Sequence, residues 1–385
     1  MKGLLFIFLI LVIVSHSLCA RITPTAEYGG GGSTFDVSKY GAIGDGNSDD
    51  TEAFLKAWQE VCASQDNPTL IIPKNKTFFL QPLRFQGPCK CATLKVELSG
   101  TIIAPKNMED WKWAEDKETA WIRFEGINGL VVNGEGQING QGAPWWKEYP
   151  NDESKRPSAI NFVGCEGLTI SNLTHYDSPR NHMGISSCKE VSISNLKMIA
   201  PDDSPNTDGI DIAHSSNIII KDSTFTTGDD CVAINTGSSF INITGVFCGP
   251  GHGISVGSLG KNGEQAEVEE IYVKNCTFTG TSNGARIKTW EGGNGYARKI
   301  TYEDIEFIEV KNPIIIDQRY NPKIYNDDGK GVAVSDVTFR NLHGTSIKDP
   351  IQLKCEPTIS CINIVLDNIN ITRIDKGKSH MLYTN

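Results

Sequence analysis

The residues of this 385-residue chain best equipped for chemistry fall in four short segments. They are Asn206-Thr207-Asp208-Gly209-Ile210-Asp211, Gly228-Asp229-Asp230-Cys231-Val232-Ala233, Pro250-Gly251-His252-Gly253-Ile254-Ser255 and Asn283-Gly284-Ala285-Arg286-Ile287-Lys288. Each has an ordinary explanation when taken singly. An Asp at a strand start forms turns, a lone His is usually satisfied locally, and Arg-x-Lys is the alternation of a solvent-facing strand. Brought together they do not fit that explanation, because three carboxylates held a few ångströms apart repel and raise the pKa of at least one of them. Clustered, perturbed carboxylates beside a cationic pair mark a site. Two or three carboxylates serve as general acid and base in cleaving a glycosidic bond, and Arg with Lys recognises carboxylates on a substrate. The set therefore points to hydrolysis of a uronic-acid polymer. No Ser-His-Asp arrangement is evident, and Gly249-Pro250-Gly251-His252-Gly253 lacks the Lys-Ser/Thr of a phosphate-binding loop.

A repeat supplies the scaffold that would align these segments. Its pattern is apolar–x–apolar–x–Asn/Asp/Gly, first at Leu130–Gly134, then ending at Asn172, Asn195, Asp222, Gly245, Asn275, Asp304, Asn341 and Asn368. The terminal positions are separated by 38, 23, 27, 23, 30, 29, 37 and 27 residues. Alternating apolar positions describe a half-buried strand, and the terminal residue suits a bend in the left-handed region. Most copies are followed by a second short strand, and no helical pattern intervenes. A propeller blade needs about 40–45 residues, and a sandwich rarely repeats one bend so often. The reading is an all-β fold, a right-handed parallel β-helix, in which equivalent positions on successive coils stack about 4.8 Å apart. The second strands then carry Asp208, Asp229, Asp230, His252, Arg286 and Lys288 on one ladder. A solenoid end needs a cap. Asp50–Cys62 reads as a short N-terminal capping helix, N-capped by Asp49 or Asp50, with Phe54, Trp58 and Val61 on one face. Asp45-Gly46-Asn47-Ser48-Asp49 resembles the start of a calcium loop but has Asp50 and Lys56 where that loop needs Gly and Glu. It reads as an acidic turn.

Residues 1–20 read as a secretory signal: Lys2, an apolar run from Leu4 to Val14 too short to span a bilayer, and small residues at Ser17-Leu18-Cys19-Ala20. Residues 21–34 read as a Gly-rich linker and 35–385 as a single β-helix catalytic domain. A secreted, extracellular destination follows. The formal charge of −10, or −11 once Lys2 is removed, argues against nucleic acid as a partner. Five glycosylation acceptors are Asn75, Asn172, Asn242, Asn275 and Asn370. Ten of the 11 cysteines meet an oxidising compartment, too few for a disulfide scaffold in a chain of this length. Cys89-Lys90-Cys91 is too tight for zinc, and no metal site is expected. Cys62 is expected to pair with Cys89 or Cys91, Cys355 with Cys361, and Cys165 and Cys188 to stack on adjacent coils, bonded or simply packed. Cys276 follows the Asn275 bend in an apolar slot.

The four segments resemble the signature motifs of the polygalacturonases, pectin-depolymerising glycoside hydrolases. Asn206-Thr-Asp-Gly209, Gly228-Asp-Asp-Cys231, Gly251-His-Gly253 and Arg286-Ile-Lys288 occur in that family's order. Phe35–Gly46 is similar to the N-terminal segment of its plant members, and the resemblance covers about residues 35–375. It implies inverting hydrolysis of α-1,4-galacturonosyl bonds of homogalacturonan in the cell wall, without a metal or cofactor. By resemblance Asp229 is the acid that protonates the leaving oxygen, Asp208 and Asp230 activate water, and His252 supports the acid. Arg286, Lys288, Asn206 and Tyr320 contact substrate, and Cys231–Cys248 staples the coil beside the acid. One rung of separation would place carboxyls about 5 Å apart, which suits retention, whereas inversion needs about 6.5–9.5 Å. Asp229 and Asp230, being adjacent, should point differently and widen the gap. Asp211 stands where plant members often have His, and the C-terminal cap is expected to be reduced. Similarity to pollen-type plant members favours exo action, and a solenoid with capped ends has no forced dimer, so a monomer is expected. The alternatives are a calcium-dependent lyase, which the carboxylate ladder disfavours, a hydrolase of rhamnogalacturonan or xylogalacturonan, and a non-catalytic pectin-binding wall protein.

Overall fold

Every copy of the repeat folds the same way. In the computed structural model, which describes residues 32–113, 119–320, 330–359, 361–374 and 381–384, the terminal residues Gly134, Asn172, Asn195, Asp222, Gly245, Asn275, Asp304, Asn341 and Asn368 all take positive φ. The bend is needed because the chain must turn sharply between two short strands of one coil, and Asn, Asp and Gly reach that conformation at least cost. The apolar residues ahead of each bend fall into one unbroken register: Leu168, Val191, Ile218, Ile241, Ile271, Ile300, Val337 and Ile364 pair in sequence from coil to coil. All but Ile364 are buried, and two residues on, Ile170, Ile193, Ile220, Ile243, Val273, Tyr302 and Phe339 fill the next layer. The result is a right-handed parallel β-helix whose interior is a continuous apolar column.

One face is an eleven-stranded parallel sheet among the described residues. In chain order its strands are β1 (Leu83–Gln86), β2 (Ala120–Glu125), β3 (Ser158–Val163), β4 (Met183–Ser186), β5 (Ile210–Ala213), β6 (Asp230–Ile234), β7 (Gly253–Leu259), β8 (Asn283–Thr289), β9 (Asn312–Asp317), β10 (Ile351–Lys354) and β11 (Met381–Thr384). These are the second strands of the repeat, and the chemistry-bearing segments sit on β5 to β8 or in the turns that lead into them.

The N-terminal end is closed by α1 (Thr51–Ala63), which buries Phe54, Trp58 and Val61. Trp58 donates to the Gln86 carbonyl (3.1 Å) and starts an aromatic column through Phe85, Phe124 and Phe162. Capping falls to Asp49, whose carboxylate accepts from the Thr51 N–H (3.1 Å) and hydroxyl (2.6 Å). Asp50 occupies the N-cap position, its carbonyl accepting from the Phe54 N–H (3.2 Å), but its carboxylate makes no capping bond and accepts instead from the backbone of Ile43 (2.6 Å) and Gly44 (3.1 Å), which ties the preceding loop down. Asp45 accepts from the N–H groups of Asn47 and Ser48, the local bonding of an acidic turn. The signal segment 1–20 and residues 21–31 of the linker lie outside the described residues. The end of the linker differs from expectation, since Thr34–Asp36 already pairs as a strand with Thr69–Ile71.

The disulfides are Cys62–Cys89, Cys231–Cys248 and Cys355–Cys361. Cys276 is buried and unbonded. Cys165 and Cys188 stack on adjacent coils without a bond, the Cys165 N–H donating to Cys188 Sγ at 3.4 Å. All five sequon asparagines are exposed.

Candidate active site

Register decides which side chains meet. β5 and β6 pair Ile210 with Val232 and Asp211 with Ala233. Between β6 and β7 the register slips: Asp230 faces Gly253, whereas Val232 faces Ile254, so Cys231 is an extra residue. Irregularities of this kind cluster beside active sites because they re-aim a side chain. Strict alternation from the buried Val232 would turn Asp230 inward. The slip turns it outward, while Cys231 stays inside and bonds to Cys248. Arg286 pairs with Ser255, two residues from the Gly253 partner that a direct alignment of the segments gives. A two-residue offset preserves the face, so Arg286 still reaches the cluster.

Asp230 is fully buried and holds two cations. Arg286 Nη2 donates to Oδ1 at 2.5 Å and Lys288 Nζ to Oδ2 at 2.8 Å. Ser255 Oγ donates to Oδ1 (2.9 Å) and accepts from Arg286 Nε (2.8 Å). Burial alone would push the Asp230 carboxyl up, but the neighbouring guanidinium and ammonium override it and hold the group well below the usual carboxylate range. In return, Asp230 holds both cations charged against the desolvation that opposes them.

Asp229, in the bend that leads into β6, points elsewhere. Its Oδ1 shares a 2.6 Å hydrogen bond with His252 Nδ1 and accepts from the Asp230 N–H (2.9 Å). Its Oδ2 accepts from Asn206 Nδ2 (3.3 Å). The side chain keeps 16% exposure, so Asp229 is reachable from solvent while Asp230 is not.

Asp208 and Asp211 are half-buried, and both carboxyls hold their protons more tightly than usual. Desolvation raises the Asp208 carboxyl well above its ordinary value, and the charges of Asp211, Asp229 and Asp230 add to it. Desolvation likewise raises Asp211 to about 7, partly offset by Arg180 and reinforced by Asp230 and Asp229. A carboxyl whose folded pKa exceeds its unfolded value stabilises the fold at low pH. For Asp211 that contribution is full below about pH 4, the unfolded value, and is lost as pH rises through about 7. Asp211→Asn keeps a neutral group at all pH values. We expect it to melt like the parent at pH 4 and above the parent at pH 8, as read by scanning calorimetry. Identical pH dependence in the two proteins would contradict this account.

Tyr320 lies at the same place, its ring 5.2 Å from Lys288 Nζ and packed edge-on against Trp290. A cavity of about 520 Å³ opens from Arg286, Lys288 and Tyr320 toward β10, with Lys311, Lys348 and Gln352 on its walls. Asp229, Asp230 and His252 offer ligand atoms within 4.8 Å of one another, the one such cluster among the described residues. The Asp230 oxygens already carry Arg286 and Lys288, so a metal ion would have to displace them. The residues present do not fit a resident metal.

The structure thus gathers Asp208, Asp229, Asp230, His252, Asn206, Arg286, Lys288 and Tyr320. Asn206 is committed within the protein, its oxygen accepting from Arg156 (2.5 Å) and its nitrogen donating to Asp229. Sequence reasoning missed Ser255 and Arg156. Ser255 lay in the aligned segment and only the register shows its role. Arg156 belongs to no repeat and gave no signal.

Residues 62–385 match the sequence profile of glycosyl hydrolases family 28, and the chain belongs to that family. It is 48% identical over 351 residues to a probable polygalacturonase of Arabidopsis thaliana, covering 90% of this chain and 75% of the relative. It is 43% identical over 357 residues to a polygalacturonase of Cryptomeria japonica, covering 89% and 68%. Among solved structures it resembles the endo-xylogalacturonan hydrolase of Aspergillus tubingensis, with a TM-score of 0.79 and 26% identity over 89% of this chain and 94% of that one. The protein is a glycoside hydrolase of the polygalacturonase family.

Proposed function

We propose that the protein cleaves α-1,4-galacturonosyl bonds of homogalacturonan by single displacement with inversion. Asp229 gives its proton to the leaving oxygen, supported by His252, which shares a hydrogen bond with Oδ1. Asp208 and Asp230 activate water. Asp208 accepts the proton in its ionised form, the stronger base of the two because its proton affinity is raised, while Asp230, ionised against Arg286 and Lys288, supplies fixed negative charge. Environments that drive the pKa values of neighbouring carboxyls apart are how one site assigns acid and base roles. Arg286, Lys288 and Tyr320, at the mouth of the cationic cavity, take a galacturonate carboxylate. The observation that carries this reading is the division of two adjacent carboxylates. Asp229 is partly exposed and paired with a histidine, and Asp230 is buried and neutralised by two cations. The remainder rests on the sequence: residues 1–20 as a secretion signal, residues 35–385 as the catalytic domain, action in the cell wall as a monomer, and exo cleavage.

The test is a proton NMR time course on polygalacturonate with EDTA present. Saturated reducing ends, first in the inverted β-configuration, with monomer appearing early, are expected. Initial α-anomers would overturn inversion, and early oligomers would overturn exo action. Calcium-dependent unsaturated products would replace hydrolysis by elimination. No turnover by folded protein would favour a different pectic polymer.

A further inference from the structure

We propose that Arg156 is a positioning residue for the acid Asp229, acting through the side-chain amide of Asn206. The inference rests on the assignment of Asp229 as acid. Arg156 sits in the turn before β3, 50 residues ahead of Asn206, and is 1% exposed. Among the described residues no carboxylate forms an ion pair with it. Its acceptors are neutral: the Pro179 carbonyl (3.0 Å), the Pro205 carbonyl and Asn206 Oδ1 (2.5 Å). Arg156 therefore bridges the turns ahead of β4 and β5.

A buried cation with only neutral partners is a costly way to tie two turns together. Its position explains the choice. A guanidinium only donates, so the atom of Asn206 that faces it must be the oxygen. That fixes the amide with its nitrogen toward Asp229 Oδ2, 3.3 Å away. Without the guanidinium the two ends of the amide are free to exchange, and an oxygen facing Asp229 would repel the carboxylate and accept a proton from the acid. The chain Arg156–Asn206–Asp229–His252 thus holds the carboxyl from both sides, Oδ2 by the amide and Oδ1 by the imidazole.

The experiment compares the full-length parent, Arg156→Met, Asn206→Ala and the double variant on galacturonate oligomers and on a galacturonide of 4-nitrophenol. Arg156→Met should lower kcat by on the order of ten- to a hundredfold with little change in KM, the scale of a misdirected catalytic group. The loss should be much smaller on the nitrophenyl galacturonide, whose departure needs little help from a well-aimed acid. The double variant should be no slower than Asn206→Ala alone. Additive losses, or equal losses on the two substrates, would overturn the proposal and leave Arg156 a structural tie. Should Arg156→Met not fold, Arg156→Lys carries the test, because one ammonium cannot serve three oxygens from two directions. A similar loss of kcat on the oligomers is expected there, and parental kcat would overturn the proposal. Asp229→Asn separates the two levels. If it stays active, the acid assignment falls and this inference with it. If it is inactive while Arg156→Met loses as much on the nitrophenyl galacturonide as on the oligomers, only the inference falls.

Discussion

Asp229→Asn will lower the hydrolysis of polygalacturonate by at least 10²- to 10⁴-fold, the usual contribution of a general acid, without unfolding the protein. The amide has the shape of the carboxyl but no proton to give. Asp229 is not part of the apolar column, and its removal leaves no buried charge unpaired, because the cations of the site are held by Asp230. The melting temperature should therefore stay close to that of the parent. Leaving-group dependence sharpens the test. A galacturonide of 4-nitrophenol departs as a stable anion and needs little protonation, so the variant should lose far less activity on it than on the polymer. Equal losses on both substrates would argue that Asp229 does something other than protonate the leaving oxygen. Near-parental activity on the polymer would remove it from the mechanism.

Asp230→Asn should behave differently, and the contrast follows from burial. The parent carboxylate is fully buried and neutralises Arg286 and Lys288, which are 8% and 7% exposed. Removing one member of a buried ionic group costs about 3–5 kcal/mol, because the remaining charges lose their partner but not their desolvation. Activity and stability should fall together, the latter read by urea unfolding. Lys288→Met in the Asp230→Asn background should recover part of the stability and none of the activity. The pH dependence has a definite sign. A carboxyl whose folded pKa is depressed stabilises above its unfolded pKa of about 4, and that stabilisation fades as pH falls through the folded value. The parent–variant gap should be full at neutral pH and narrow only below about pH 4. A gap independent of pH, or an Asp230→Asn protein as stable as Asp229→Asn, would contradict the buried triad.

Much of this was legible in the sequence because a solenoid writes its structure periodically. Leu168, Val191, Ile218 and their successors occupy one interior line, and the Asn, Asp or Gly that closes each copy supplies the bend. The four chemical segments could be aligned because each leads into the same kind of strand. What escaped detection is what periodicity does not encode. The slip at Cys231 that turns Asp230 outward leaves no compositional trace, and neither does the two-residue offset that pairs Arg286 with Ser255. Asp50 and Asp49 are chemically identical, and only the path of the loop at Ile43–Gly44 decides which one caps the helix. Arg156 acts from a turn outside the repeat, through contacts 23 to 50 residues away.

The unbroken pairing from Leu168 to Ile364 has an implication for how such a chain can change over generations. Intervals between bends run from 23 to 38 residues, yet the interior line never loses step. Every difference in length has been absorbed in turns, where a residue more or less does not alter which side chains face inward. The strands act like a message read in frame. A single-residue deletion within β6 or β8 would invert the faces of everything up to the next turn, and would put Arg286 or Asp230 into the oil. Duplication of a whole coil beyond Lys288 would leave the four catalytic rungs untouched and lengthen the groove by one sugar-binding step. Lineages of this architecture should therefore diversify by adding and losing coils and turn segments, with the span from Asn206 to Lys288 kept at fixed phase.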